Sequence, residues 1–126
     1  MGEIIAVAVG GGLGAVLRLT VCRYAERLLG AGFPYGTLLV NVLGGFLIGL
    51  LAAGVLAKSD TNPIIRSAII IGCLGGFTTF SAFSLDTLTL ASDGAALRAV
   101  LNAALNVVLA VSATWGGVIT AKAIWS

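Results

Sequence analysis

Residues 72–86 read GCLGGFTTFSAFSLD, a stretch that joins the glycine pair Gly75 and Gly76 to two threonines, two serines and three phenylalanines inside a strongly apolar run. A plain membrane anchor has no use for such a segment. Glycine pairs and hydroxyl clusters lower helix propensity, and lipid satisfies none of their polar atoms. The segment makes sense if something polar is handled in the middle of a bilayer.

The flanking sequence fixes the setting. Of 126 residues, 59% are hydrophobic and 10% charged, and the mean hydropathy is +1.11. Soluble domains carry about 25% charged residues, so this chain cannot coat itself with polar surface. The charges also come at intervals: none lies between Arg27 and Lys58, between Arg66 and Asp86, or between Arg98 and Lys122. A spanning helix needs about 20 mostly apolar residues. The three gaps therefore hold three spans, and residues 4–25 make a fourth, interrupted by Arg18. The expected fold is an all-α membrane protein with four transmembrane helices, a single integral membrane domain over residues 1–126. Its spans fall near 3–27, 35–57, 64–91 and 96–123.

Loop chemistry supports these boundaries. The first segment opens on Glu3 rather than a basic region, so it reads as a span and not as a signal peptide. Gly30, Gly32 and Pro34 break the chain after it, and Pro63 suits the first turn of the third span. Ser92, Asp93 and Gly94 separate the last two spans, with Ser92 or Asp93 expected to cap the fourth. Four spans put both termini on one side. That side holds Lys58, Arg66 and Lys122, against Arg23, Arg27 and Arg98 opposite. Positive residues set orientation, and this balance admits two readings. Either a few charges make a noisy count, or copies insert both ways and pair antiparallel. Four short helices enclose little interior, which favours an oligomer.

Several function classes drop out. Histidine is absent, which removes histidine-ligated metals, histidine bases and imidazole proton relays. No nucleotide-binding loop, serine nucleophile or metalloprotease motif occurs. The chain is not read as an enzyme, and nothing in it marks a nucleic-acid partner. Cys22 and Cys73 lie within spans and read as small apolar packing.

The intramembrane polar residues remain. Thr37 and Asn41 are four apart and share a helix face, which Gly45 and Gly49 continue as a GxxxG pair. Asn102 and Asn106 repeat the spacing in the fourth span, and Gly10 and Gly14 precede Arg18 in the first. Counted by helical rise, Asn41, Asn102, Asn106, Arg18 and residues 80–86 all fall in the membrane half away from the termini. Singly, each amide reads as helix–helix glue worth about 1 kcal/mol; their shared depth points to a lined path. Donors on Asn41, Asn102, Asn106, Thr79, Ser81 and Ser84, without a mid-membrane acid, favour an anion over a cation. By spacing alone Phe77, Phe80 and Phe83 read as packing. Interleaved with hydroxyls, their positive ring edges become candidate anion ligands.

The motifs GGLGAVLR (11–18), PYGTLLVNVLGGFLIG (34–49) and GCLGGFTTFSAFS (72–84) together resemble the Fluc (CrcB) family of small bacterial fluoride channels, over nearly the whole chain. The resemblance implies an antiparallel, dual-topology homodimer with two pores in the bacterial inner membrane, or in some cases a heterodimer of two chains. It implies a third helix broken at its centre and a fluoride path along Asn41, Phe80, Phe83, Thr79, Ser81 and Ser84. Asn102 and Asn106 take the equivalent face of the fourth span. A structural sodium ion is implied at the backbone carbonyls of Gly75 and Thr78. Arg18 falls on a structural or vestibular arginine, with Asp86 as its candidate partner. Family members carry Glu at the position of Asp86 and often a hydroxyl, imidazole or phenol on the fourth span. The main rival is a small dual-topology multidrug or cation antiporter, which needs a membrane-embedded carboxylate that this chain lacks. A non-transporting anchor subunit is the second rival, and it leaves the polar residues without a task.

Overall fold

The computed structural model describes residues 1–125. It is all-helical, with four helical segments long and apolar enough to cross a membrane. Helix α1 runs Gly2–Leu29 and α2 runs Tyr35–Ala53. The third span, Pro63–Ser92, is composite. It begins as α3 (Pro63–Ser67), widens into a π-helical stretch (Ala68–Leu74), tightens as α4 (Gly75–Phe77) and resumes after a break as α5 (Phe80–Ser92). Helix α6 is Ala96–Trp125. Even α2, with 19 residues, covers roughly 28 Å at the helical rise per residue, close to a hydrocarbon core of about 30 Å.

The ends follow local chemistry. Asn62 caps α3, its side chain accepting from the Ile64 amide at 2.8 Å, with Pro63 in the first turn. Helix α2 stops at Ala53, short of the expected 57, because Gly54 turns the chain into a 3₁₀ turn at Val55–Ala57. Asp93 and Gly94 close α5 instead of capping α6. Their amides bond back to Thr89 and Ala91, and Gly94 takes φ 80°, a conformation that glycine adopts freely. The wide turn at Ala68–Leu74 has no counterpart in the sequence reading; it coincides with Ile69, Ile70 and Ile71, whose branched side chains crowd a tight α-turn.

Small residues set how the helices meet. In lipid there is no hydrophobic drive between helices, so association rests on close packing. Gly10 and Gly14 of α1 lie on the backbone of the third span: a β-carbon at either would overlap the Ala68 or Cys73 carbonyl. The fit is reciprocal, since a β-carbon at Gly76 would come within 2.5 Å of the Gly11 carbonyl. The second glycine set joins α2 to α6. Gly45 and Gly49 face the Ala110 and Thr114 carbonyls, and Gly117 faces the Phe46 carbonyl. The glycine-paired face of α2 thus meets α6 inside one protomer.

Contacts at the two ends show which loops share a side. Ser67 donates to the Glu3 carboxylate, and the Trp125 ring lies on Gly54. At the other end Arg98 donates to the Gly32 carbonyl at 3.3 Å. Both ends of the described chain therefore lie on one side.

Adjacent glycines in α6 give a paired test. A β-carbon at Gly117 would strike the α2 backbone, whereas one at Gly116 meets nothing within 4 Å. Gly117→Ala is expected to destabilise the protein by about 1–3 kcal/mol, and Gly116→Ala to be neutral or stabilising by up to about 1 kcal/mol. Thermal unfolding of detergent-solubilised protein distinguishes the two. Equal stability of both variants would mean that α2 and α6 do not meet in this register.

Candidate functional site

The third span breaks at Thr78 and Thr79, not at the glycine pair. Thr78 (φ −84°, ψ 160°) and Thr79 (φ −153°, ψ 124°) are extended, while Gly75 and Gly76 belong to the helical turn before them. In a continuous helix the Thr79 amide would bond the Gly75 carbonyl, and the Ala82 amide the Thr78 carbonyl. Both amides are diverted. Thr79 N–H donates to Asn41 Oδ1 at 2.8 Å, and Ala82 N–H donates to Thr79 Oγ1 at 3.1 Å as a helix cap. The Gly75 and Thr78 carbonyls lose their helical partners as a result.

Asn41 compensates the break. Its amide has the same donor and acceptor as a peptide group, and it pairs with Thr79 as a neighbouring strand would. Besides accepting from the Thr79 amide, its Nδ2 donates to the Thr79 carbonyl at 3.0 Å. Close approach makes this reachable, because Gly44, one turn along α2, has its α-carbon against the Thr78 side chain and the Phe77 ring. Backbone groups at membrane depth have no water to bond; one side chain serves two of them here.

The remaining polar groups continue from that pair. Asn41 Nδ2 also donates to Asn106 Oδ1 at 2.9 Å. Asn106 Nδ2 donates to the Asn102 carbonyl at 2.9 Å and to Asn102 Oδ1 at 3.0 Å. Asn102 Nδ2 donates to Thr87 Oγ1 at 2.9 Å, and Thr87 donates to the Phe83 carbonyl at 2.8 Å. The amides that the sequence offers as open donors are thus engaged with one another: both hydrogens of Asn41 and of Asn106 are in use. Asn102 is fully buried and Asn106 nearly so. Among the hydroxyls, Thr78 donates to Leu74 and Ser84 to Phe80, while Ser81 lies 3.3 Å from Thr79 Oγ1 and is exposed.

The break also separates the phenylalanines that the spacing groups together. Phe77, before it, is buried against α2. Phe80 and Phe83, after it, meet edge to face with ring centroids 5.3 Å apart and planes at 64°. Phe80 is 77% exposed. These two rings flank a groove of about 410 Å³ that also takes in Asn41, Gly75, Thr78, Thr79 and Asn106. Asn102, Ser81 and Ser84 do not line it.

A second cavity, about 510 Å³, opens at the end away from the termini and is lined by Glu26, Asp86, Asp93 and Arg98 among others. Asp86 Oδ2 accepts from Thr37 at 2.9 Å. It does not pair with Arg18: among the described residues no such ion pair forms, and Arg18 Nε is buried with no hydrogen-bond partner. The donor that reaches the carboxylate in the fold is Thr37, one turn before Asn41. Thr37 and Thr87 are the polar residues whose roles the sequence reading missed. Thr37 shares the Asn41 face, and Thr87 sits one turn after Phe83, so helical spacing marks both.

The three motifs thus meet in a helix pair closed by glycines, with an asparagine clamping a broken span beside two phenylalanines. Residues 5–118 match the family model described as CrcB-like protein, Camphor Resistance (CrcB). The chain belongs to this family. It is 41% identical over 124 residues to a protein of Citrifermentans bemidjiense, covering 98% of this chain and all of that one. It is 44% identical over 122 residues to a protein of Rhizobium johnstonii, covering 97% of this chain and 98% of the other. A Geobacter sulfurreducens protein is 43% identical over the same length, with 97% and 98% coverage. All three relatives carry the name fluoride-specific ion channel FluC.

Proposed function

We propose that this chain forms a fluoride-selective channel, through which cytoplasmic fluoride leaves a bacterial cell down its electrochemical gradient. The observation that carries the reading is the groove beside the break. It places two edge-to-face phenylalanine rings next to hydroxyls and amides at membrane depth, with no carboxylate in its lining. The electropositive ring edges attract an anion, and the absence of an acid in the lining removes a repelling charge; the names of the relatives agree on which anion. The antiporter alternative is not favoured, because the groove offers no acid to exchange protons. From an acidic medium fluoride crosses the membrane as neutral HF and ionises in the less acidic cytoplasm. A passive path, aided by the negative interior, then suffices for export, and no enzymatic step is needed.

The path runs past Phe80 and Phe83, with Asn41 and Thr79 behind the rings and Ser81 and Ser84 on the exposed side of α5. One protomer does not enclose it. Phe80, Ser81, Ser84 and Gly75 are all exposed, and polar groups turned to lipid cost several kcal/mol each. The need to cover this face supports the homodimer, and the balance of Lys58, Arg66 and Lys122 against Arg23, Arg27 and Arg98 supports its antiparallel, dual-topology form. The carbonyls of Gly75 and Thr78, two residues of the groove lining, are freed from helical bonding and fit a structural monovalent cation, sodium, shared by the two copies.

In liposomes holding the purified protein, fluoride efflux is expected to exceed chloride efflux by orders of magnitude. Phe80→Leu and Phe83→Leu are expected to cut it at least tenfold in protein that still folds, the scale of a lost aromatic contact of about 1.5 kcal/mol. Replacing sodium by a large organic cation is expected to lower flux. Well-folded wild-type protein passing both halides alike would defeat the channel reading, and full flux in the phenylalanine variants would remove the rings from the path.

Orientation has its own test. Single cysteines at Ser59 and at Gly32, in a background without Cys22 and Cys73, are expected to label from both faces of the membrane. Labelling of each from one face only would exclude dual topology.

A further inference from the structure

We propose that Asn102, which touches neither the groove nor the break, is a positioning residue that fixes the orientation of Asn41 and the backbone of Phe83. It does so by holding the middle of a one-way chain of hydrogen bonds. The inference deepens the channel reading and rests on it.

The chain has a direction. Thr79 N–H donates to Asn41, Asn41 to Asn106, Asn106 to Asn102, Asn102 to Thr87, and Thr87 to the Phe83 carbonyl. Each asparagine accepts at its oxygen from the residue before and donates its amide to the residue after. The ends lock this direction, because a backbone N–H only donates and a backbone carbonyl only accepts. Turning any one amide over would set donor against donor on one side and acceptor against acceptor on the other. In a medium of low dielectric that arrangement is costly.

Both ends of the chain lie on the same half-span. It leaves the third span at Thr79, crosses α2 at Asn41, passes through two asparagines of α6, and returns at Thr87 to Phe83. The distance between the break and the second phenylalanine is therefore tied through two other helices as well as through the local α-turn. Asn102 does not line the groove and is fully buried. It has no access to a passing ion, so its effect on transport can only be relayed. Thr87 is its sole side-chain acceptor.

Substitution chemistry separates a relay from simple filling. Asn102→Leu keeps the bulk and has neither donor nor acceptor. Asn102→Asp has no donor when ionised, yet when protonated it offers one O–H to Thr87 and one carbonyl oxygen to Asn106. Thr87→Val keeps the shape and loses the hydroxyl, whereas Thr87→Ser keeps the hydroxyl. Fluoride efflux per folded protein is to be measured at roughly pH 9.5 and roughly pH 5, which bracket the raised titration range of a buried carboxyl. Leak from protein-free vesicles is subtracted and each variant is normalised to wild type at the same pH.

The relay requires Asn102→Leu and Thr87→Val to fall roughly tenfold at both pH values, the scale of one buried amide left unpaired. It requires Thr87→Ser to stay close to wild type, and Asn102→Asp to be low at the higher pH and to recover at the lower. Thermal unfolding in detergent is expected to rank the variants in the same order. Filling alone predicts Asn102→Leu equal to protonated Asn102→Asp, and Thr87→Val equal to Thr87→Ser; either equality in folded protein overturns the proposal. If the wild type carries no fluoride, the channel reading fails, and the unfolding order alone then decides whether the relay exists.

Discussion

The structure depends on a pair of hydrogen bonds between the Asn41 side chain and the Thr79 backbone. A transmembrane helix can be interrupted only if the freed peptide groups find partners, since lipid offers none. Thr78 and Thr79 leave the helix, and one amide from the neighbouring span bonds both the N–H and the C=O of Thr79. The consequences reach in two directions. After the break, Thr79 caps a fresh helix that starts with Phe80 and turns its rings away from the core side taken by Phe77. At the break itself, the Gly75 and Thr78 carbonyls lose the amide partners that a continuous helix would give them.

That bond is reachable because glycines bring the backbones together. Gly44 lies against Thr78, while Gly45 and Gly49 seat α2 on α6, so that Asn41 meets Thr79 on one flank and Asn106 on the other. Gly10, Gly14, Gly72 and Gly76 hold the first half of the third span to α1, which leaves the second half anchored separately by the asparagines. Packing of this kind rests on small side chains rather than apolar bulk. It also explains how a chain with so little polar surface can keep a polar network at membrane depth.

Much of this was legible in the sequence, and the reasons differ by feature. Charge-free intervals located the spans because a bilayer imposes a length. The spacing of Asn41 from Thr37, and of Asn106 from Asn102, gave the shared faces because helical geometry is regular. Spacing could not say where each donor points. Asn41, Asn102 and Asn106 read as open donors, whereas in the fold they are spent on one another. The glycine pair lowers helix propensity yet stays helical: Gly76 serves close approach to α1, and the extended residues are the two threonines. The Arg18–Asp86 pairing is absent for a similar reason, since helix rotation decides which donor reaches the carboxylate, and it brings Thr37 there. The resemblance carried the functional reading further than the residues alone did, while Thr87, which its spacing from Phe83 marks, takes its role only where α5 and α6 lie side by side and Asn102 donates to it.

Hydrogen exchange at the Thr79 amide tests the central claim most directly. In wild-type protein this amide, although outside any helix, is expected to exchange as slowly as the amides of α2. In Asn41→Leu its exchange is expected to accelerate by at least tenfold, the scale of one lost buried hydrogen bond, with residues 100–110 of α6 unchanged. A Thr79 amide that exchanges equally slowly in wild type and in Asn41→Leu would show that something other than Asn41 closes the break, and would contradict the account.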